Sequence, residues 1–414
     1  SSREALGVDG ETIYRVPSLK DDEATRLFVE RATKAEPRFR LTDANASFVA
    51  SICSRLDGIP LAIELAAARV KLLTPEQIAA RLDDRFKLLT GGVRTALPRQ
   101  QTLRALIDWS YQLLNATEQR ALRGLSVFSG GWTLEAAESV VGADEALDGL
   151  SGLVNKSLVI VEEQEGKSRY RFLETIRQYA MEKLVEAGEA IATRDRHLDF
   201  MLGVMEYSPT RMFGMEDLEL LDRIESEHDN LRAALEWATE NHPATALKLA
   251  YSAGGFWTIR DYNAEAQFWC STILGKTEAM SELEEDRGRL YGLLGWLMMT
   301  LGEHKKGRAA SEQAITLAEK SNDFYTMSRA YATAGLASCF LGDFPAAFPA
   351  IEKAESIARE HDLAAELAFI LGSRAQLEFI GKGDLPIARV SVLEASDLVH
   401  KAGFIWASTF LDIG

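Results

Sequence analysis

Apolar side chains recur every three or four positions along much of the 414-residue chain, which is the spacing of helices that pack by one face. Between residues 21 and 90 this pattern includes Ala24, Leu27 and Phe28, and it restarts after residues that suit a helix start, such as Thr42. The pattern predicts a compact helical bundle in this stretch.

The pattern changes between residues 101 and 187. Four helical stretches are followed by two short runs of β-favouring residues, at 158–161 and 170–172, around a turn at Glu165 and Gly166. One more helix, at 174–185, follows the second run. Helices that lead into a two-stranded hairpin predict a winged helix.

Residues 246–405 repeat a helical hairpin four times, at intervals of about 40 residues. Three positions agree between copies: Gly254, Gly295, Gly335 and Gln376; Ala266, Gly307, Ala347 and Ala388; Ile273, Ala314, Ala354 and Ala395. Small residues at such positions let paired helices pack closely. The pattern resembles a tetratricopeptide array with repeats longer than the usual length of about 34 residues. It predicts an α-solenoid with a concave binding surface and no chemistry of its own.

Composition narrows the class of protein. The net charge is −16, so the overall field repels nucleic acid. Cys53, Cys270 and Cys339 lie in apolar helical stretches without Cys-x-x-Cys spacing, which predicts reduced core thiols in a cytoplasmic protein. The histidines are scattered, so no metal site is predicted, and no apolar run is long enough for a membrane span.

A Gly-x-Pro corner interrupts the helical bundle. Gly58 suits the end of one helix and Pro60 suits the first turn of the next. Taken alone, this is an ordinary corner between two helices. With Leu61 it resembles the Gly-Leu-Pro-Leu box of NB-ARC and related STAND-type signalling ATPases, in which Ile59 is a departure. The resemblance implies that the box opens a small helical domain behind a nucleotide site and that Pro60 packs on the adenine.

Two further segments carry the resemblance. Ser2 and Arg3 are similar to the end of the sensor-1 strand, which implies that Arg3 reaches the terminal phosphate; taken alone, it is an ordinary surface arginine. Phe172, Leu173 and Glu174 stand where the family has Met-His-Asp. Leu173 cannot donate the hydrogen bond of that histidine, so an ADP contact by this box is not expected.

A phosphate loop, G-x-x-x-x-G-K-[ST], is not found in the sequence. The nearest match begins at Gly302, lacks the Lys-Ser/Thr end and falls in a repeat turn. We therefore expect the chain to begin inside a nucleotide domain, to bind ATP or ADP only together with a missing upstream half, and not to be an enzyme by itself. No paired carboxylates, nucleophile triad or metal-binding set stands out.

The helix of the predicted winged module that would enter a DNA groove spans residues 146–155 and contains no Lys or Arg. Phosphate contacts need such residues. We therefore expect no direct nucleic-acid contact by this chain and no membrane contact. The expected partners are a protein or small-molecule effector on the repeat array, with self-association as a further possibility.

The sequence thus predicts a mainly α protein with five segments: the end of a nucleotide-binding domain (1–20), a helical bundle (21–95), a winged helix (96–190), connecting helices (191–245) and a tetratricopeptide-like array (246–414). One predicted function is the regulatory and sensor portion of a STAND-type transcriptional regulator, which couples effector binding to nucleotide state. The alternative is a protein–protein interaction scaffold that has lost nucleotide binding. Cofactor contacts are predicted at Arg3, Gly58, Pro60 and Leu61.

Overall fold

The computed structural model describes residues 18–80, 82, 103–164, 166–206 and 217–402. The chain divides into two compact units, Ser1–His197 and Leu198–Gly414. The described residues are mainly helical, and the sheet that they form has two strands, which confirms the predicted fold class. None of the described helices is long and apolar enough to cross a bilayer. Arg3 and nearly all of the predicted segment 1–20 lie outside the described residues.

The first unit begins with a helical bundle. Its elements are α1 Asp21–Ala35, α2 Asp43–Arg55, α3 Pro60–Ala67, a 3-10 turn at Ala68–Lys71, and α4 Pro75–Ala80. Side chains hydrogen-bond the backbone where helices begin. At the start of α2, Asn45 Oδ1 accepts a hydrogen bond from the Thr42 amide at 2.8 Å. Phe28, Ile52 and Ile63 are fully buried between the helices, as their helical spacing predicts.

The winged module follows in the same unit. Its elements are α5 Leu103–Gln112, α6 Ala116–Leu125, α7 Leu134–Val141, α8 Ala143–Asn155, β1 Ile160–Gln164, β2 Lys167–Arg171 and α9 Glu174–Glu186. The strands are antiparallel, with Ile160 opposite Arg171. Trp132 forms an isolated antiparallel β-bridge with Tyr170 on β2. The amide and the carbonyl of Trp132 each form a backbone hydrogen bond with Tyr170 at 2.8 Å.

Both strands differ from the predicted runs. Leu158 and Val159 precede β1 and are buried, and Phe172 follows β2 and is buried too. Apolar residues mark where the chain enters the core, whereas the hairpin itself contains mostly polar residues. The predicted runs therefore overlap the ladder at residues 160–161 and 170–171, but they extend one or two residues into its buried flanks and miss its polar part.

The remaining helices include four pairs at the predicted repeats. They are α10 Ala190–Glu206, α11 Asp217–Ser226 and α12 His228–Asn241, then α13 Pro243–Ile259 with α14 Asn263–Lys276, α15 Glu284–Thr300 with α16 His304–Ser321, α17 Phe324–Phe340 with α18 Phe344–Glu360, and α19 Ala364–Lys382 with α20 Leu385–Ala402. The first helices of successive pairs pack on one another, and each second helix packs mainly on its own partner and on the first helix of the next pair. The first helices therefore form one layer of the array and the second helices the other.

Small residues lie where paired helices cross, as the repeat pattern predicts. A Cβ atom at Gly295 would lie 2.4 Å from Ser311 Oγ and 3.1 Å from the Gly307 carbonyl oxygen. Gly302, which has φ +77°, lies in the turn between the two helices of this pair. Gln376 is exposed, so the last pair does not use the same crossing.

We expect Gly295→Ala to lower the free energy of unfolding by about 1–3 kcal/mol, because the new methyl group forces α15 and α16 apart. Urea unfolding followed by circular dichroism measures the change. Gly275→Ala on α14 is the matched control, since no neighbouring atom lies within 4 Å of a Cβ built there. That variant should be neutral or slightly stabilised. Equal losses in both variants would contradict close packing at Gly295.

Candidate functional site

The Gly-x-Pro corner is held by backbone contacts that require glycine. Gly58 has φ +63°, and its amide donates to the Cys53 carbonyl at 3.3 Å, which ends α2. The Gly58 carbonyl accepts a bond from the Leu19 amide at 3.0 Å. A Cβ atom at position 58 would lie only 2.2 Å from the Leu19 carbonyl oxygen. Both the left-handed backbone and this close approach exclude a larger residue.

The structure places the other predicted cofactor residues on α3. Pro60 is the first residue of that helix and is exposed. Its missing N–H leaves no buried donor unpaired at this position. Leu61 follows it in α3. Gly58, Pro60 and Leu61 are therefore together at one helix start, whereas Arg3 lies outside the described residues.

Asp57, next to the predicted residues, joins this corner to the winged module. Its carboxylate Oδ2 accepts bonds from the Thr175 amide at 3.1 Å and from the Thr175 hydroxyl at 3.3 Å. Thr175 is fully buried in the first turn of α9. Asp57 is 118 residues away in sequence, yet it does for α9 what an N-cap side chain usually does.

Leu173 explains why α9 needs a distant cap. It is the N-cap residue of α9 and offers no side-chain hydrogen bond. The free amides of the first turn must then find another acceptor. In the sequence, Leu173 stands out only as a departure from the family's histidine. An apolar residue at a helix start signals only that the first turn needs an acceptor from elsewhere, either water or another side chain.

The backbone at Asp57 shapes this contact. Asp57 has φ +56° and precedes Gly58, so two successive residues are left-handed. Asp tolerates this conformation better than most residues with a side chain. The direction of the Asp57 carboxylate therefore depends on the conformation of the corner.

The surface of α8 is not basic. Its exposed side chains include Asp144, Leu147 and Asp148, and it contains no Lys or Arg. Its buried face packs on α6, where a Cβ atom at Gly149 would lie 2.4 Å from the Ala121 Cβ. Lys156 directly follows α8, and its Nζ bonds the buried Glu118 carboxylate at 2.7 Å.

The wing contains basic side chains, which α8 lacks, beside acids on β1. Arg171 on β2 pairs with Glu162 on β1 at 2.7 Å, and its side chain keeps 40% of its exposure. Arg169, on the same strand, donates to the Gly131 carbonyl at 3.1 Å. A winged module can thus present cations outside its groove-facing helix.

Comparison with known proteins supports this description of the module. Residues 114–185 match the family described as a winged helix-turn-helix domain, which covers the chain from the end of α5 to the end of α9. The predicted winged helix is therefore confirmed at the level of its class.

The whole chain also has regulatory relatives. It is 39% identical over 416 residues to Rv0890c of Mycobacterium tuberculosis, whose name assigns it provisionally to the HTH-type transcriptional regulators; the match covers 97% of this chain and 47% of Rv0890c. The chain thus spans about half the length of that relative. It is 26% identical over 309 residues to the regulatory protein AfsR of Streptomyces coelicolor, covering 65% of this chain and 30% of AfsR.

Among the solved structures that align with nearly all of the chain is a Signal Transduction ATPase with Numerous Domains (STAND) protein with a tetratricopeptide repeat sensor, PH0952 from Pyrococcus horikoshii. The identity is 17%, the TM-score is 0.43, and the alignment covers 98% of this chain and 57% of PH0952. A similarity this low bears on neither function nor ligand.

The expectation of no nucleic-acid contact by this chain is wrong. The winged helix-turn-helix match and the regulator relatives point to DNA binding. The expectation rested on the net charge of the whole chain and on the residues of one helix. A winged module can also place the cations of its wing on phosphates, where local charge decides the contact.

We expect Asp57→Gly to lower the free energy of unfolding of the first unit by about 1–3 kcal/mol, because it leaves the buried Thr175 amide and hydroxyl without their acceptor. Glycine keeps the left-handed backbone, so the loss reports on the carboxylate. Asp57→Asn is the control, since it retains an acceptor oxygen and tolerates this backbone. Thermal unfolding measures both. A similar loss in the two variants would show that the acceptor is unimportant.

Proposed function

We propose that this chain is the regulatory and sensor portion of a STAND-type transcriptional regulator. In this proposal the winged module contacts DNA, the helical bundle responds to a nucleotide, and the repeat array takes an effector. The observation that carries the proposal is the bond from Asp57 to the first turn of α9. This bond links the Gly-x-Pro corner, which lies beside the nucleotide in the STAND family, to α9, the last helix of the winged module.

The proposed nucleotide is ATP or ADP, held together with polypeptide outside this chain. Pro60 fits the role that the resemblance implies, because its ring is exposed at the start of α3. Gly58 and Leu61 would shape the same corner, and Arg3 would reach a phosphate. The chain itself is proposed to be neither an enzyme nor a metal protein, and to act in the cytoplasm.

The alternative proposal is an interaction scaffold without nucleotide binding. Leu173 favours it, because a leucine side chain cannot hydrogen-bond a phosphate. In that case the Asp57 bond would only stabilise the first unit, and the repeat array would provide the binding surface. Nucleotide titration separates the two proposals.

We expect ADP or ATP to bind this chain measurably when the upstream half is supplied, and Pro60→Ala or Arg3→Ala to weaken that binding by about tenfold or more. Loss of packing on the base or of a charged bond to a phosphate is the physical reason. Isothermal titration with each variant measures the change. Pro75→Ala, at the start of α4, is the matched control and should bind like the parent. No binding even with the upstream half would favour the scaffold.

The wing residues are the proposed phosphate contacts of the winged module. We expect the chain to bind double-stranded DNA with an affinity that falls with salt, and Arg171→Gln to weaken binding and reduce the slope of log K against log salt by about 1. Fluorescence anisotropy with labelled duplexes measures both quantities.

Arg308→Gln provides the control for this experiment. Arg308 lies on α16 in the repeat array and is ion-paired, like Arg171, so the variant removes the same charge away from the wing. It should leave the salt slope unchanged. An identical change in both variants would mean that the overall charge, and not the wing, decides DNA binding.

A further inference from the structure

The register of the wing hairpin puts its two arginines on one face. In the antiparallel ladder Ile160 lies opposite Arg171, and Glu162 lies opposite Arg169. Directly opposite residues share a face, and so do residues two positions apart on one strand. These four residues therefore lie together on one side of the hairpin, which we name the basic face of the wing.

The other face of the hairpin has a different composition. It contains Val161, Glu163, Ser168 and Tyr170, which form the alternate pairs of the ladder. None of these four described side chains is basic. A nucleic-acid backbone needs cations to bind, so the basic face is the side of the hairpin on which a phosphate contact is expected.

The two arginines of the basic face extend in different directions. Arg169 Nη2 donates to the Gly131 carbonyl at 3.1 Å, and a Cβ atom at Gly131 would lie 3.3 Å from Arg169 Nε. The Arg169 guanidinium thus lies beside a residue that has no side chain. Arg171 reaches across to β1 instead, where its Nε donates to Glu162 Oε1 at 2.7 Å. This second contact joins two opposite charges across the strands.

The pair between Arg171 and Glu162 is open to solvent. The Arg171 side chain keeps 40% of its exposure, and the Glu162 side chain keeps 53%. Exposed pairs of this kind stabilise a fold only weakly, because water and salt screen both charges. A phosphate that approaches the wing can therefore reach Arg171 and displace the Glu162 carboxylate at little cost to the fold.

Glu162 and a phosphate require the same donors of Arg171. A guanidinium group binds carboxylates and phosphates with the same fork of N–H groups. The Nε–H that Glu162 accepts is not available to a phosphate while the pair exists. A phosphate must also approach against the negative charge of Glu162, which stays nearby after it is displaced. DNA binding by this face therefore includes an exchange of one anion for another.

We propose that Glu162 limits the affinity of the wing for DNA by competing with a phosphate for Arg171. The inference rests on the proposed function, in which the winged module contacts DNA. Phosphate contacts carry no sequence information directly, so the competition lowers the affinity for every duplex by a similar factor. Glu162 therefore keeps sequence-independent binding by the wing weak.

The test is fluorescence anisotropy of the full chain with a labelled DNA duplex at low salt. Glu162→Gln should bind about threefold more tightly than the parent, or better, because Arg171 loses its charged competitor. Glu163→Gln is the matched control, since it removes the same charge from the next residue, which is exposed on the other face. It should change the affinity less than about twofold. Equal gains in both variants would overturn the proposal, because the overall charge would then explain them.

A double-mutant cycle shows whether Glu162 acts through Arg171. When Arg171→Gln is already present, Glu162→Gln should alter the affinity less than about twofold, because no guanidinium is left to release. The same gain with and without Arg171 would mean that Glu162 acts by repulsion alone, which contradicts the competition. Glu162→Ala removes the acceptor as well as the charge and should bind at least as tightly as Glu162→Gln. Thermal unfolding identifies the variants that stay folded, and either folded variant at position 162 decides the question.

The same titrations separate this inference from the proposed function. If neither the parent nor any variant at position 162 binds DNA, the proposed DNA contact fails, and the inference fails with it. Binding by the parent that both substitutions of Glu162 leave unchanged would support the regulator and reject the competition. Binding that appears only after Glu162 is replaced would support both.

Discussion

The first turn of α9 depends on a carboxylate that its own sequence does not provide. Leu173 occupies the N-cap position, and the buried Thr175 amide is satisfied by Asp57, 118 residues earlier. An N-terminal turn without an acceptor is unfavourable when it is buried. The contact can form only while the corner at Asp57 and Gly58 keeps its two left-handed residues. This short-range interaction therefore links the conformation of the helical bundle to the start of the closing helix.

The repeat array depends on a different constraint, which is close approach at small residues. Gly295 and Gly307 let α15 and α16 cross with backbone atoms near contact distance. The first helices then form a layer in which side chains from alternate pairs can meet, as Trp296 and Phe369 do. Glu366 is buried in that layer, where its carboxylate pairs with Arg329 at 2.8 Å.

Much of the fold could be predicted from the sequence because its signals are local or periodic. Gly58 and Pro60 mark a helix end and a helix start, and the recurring small residues mark helix crossings. Asp57 could not be predicted in the same way, since an acid before a glycine is common and its partner lies in another module. The charge argument about DNA failed for a related reason: residues of a hairpin come together with a helix only after folding. The predicted roles of Arg3, Pro60 and Leu61 stay predictions, because they concern contacts to a nucleotide.

Amide hydrogen exchange at Thr175 tests the central interaction most directly. If Asp57 holds the first turn of α9, Asp57→Gly should speed exchange of the amides at the start of α9 by at least tenfold, while amides in the middle of α8 keep their rates. Asp57→Asn should lie between this variant and the parent. Unchanged exchange at Thr175 in Asp57→Gly, or a uniform increase throughout the winged module, would contradict the account.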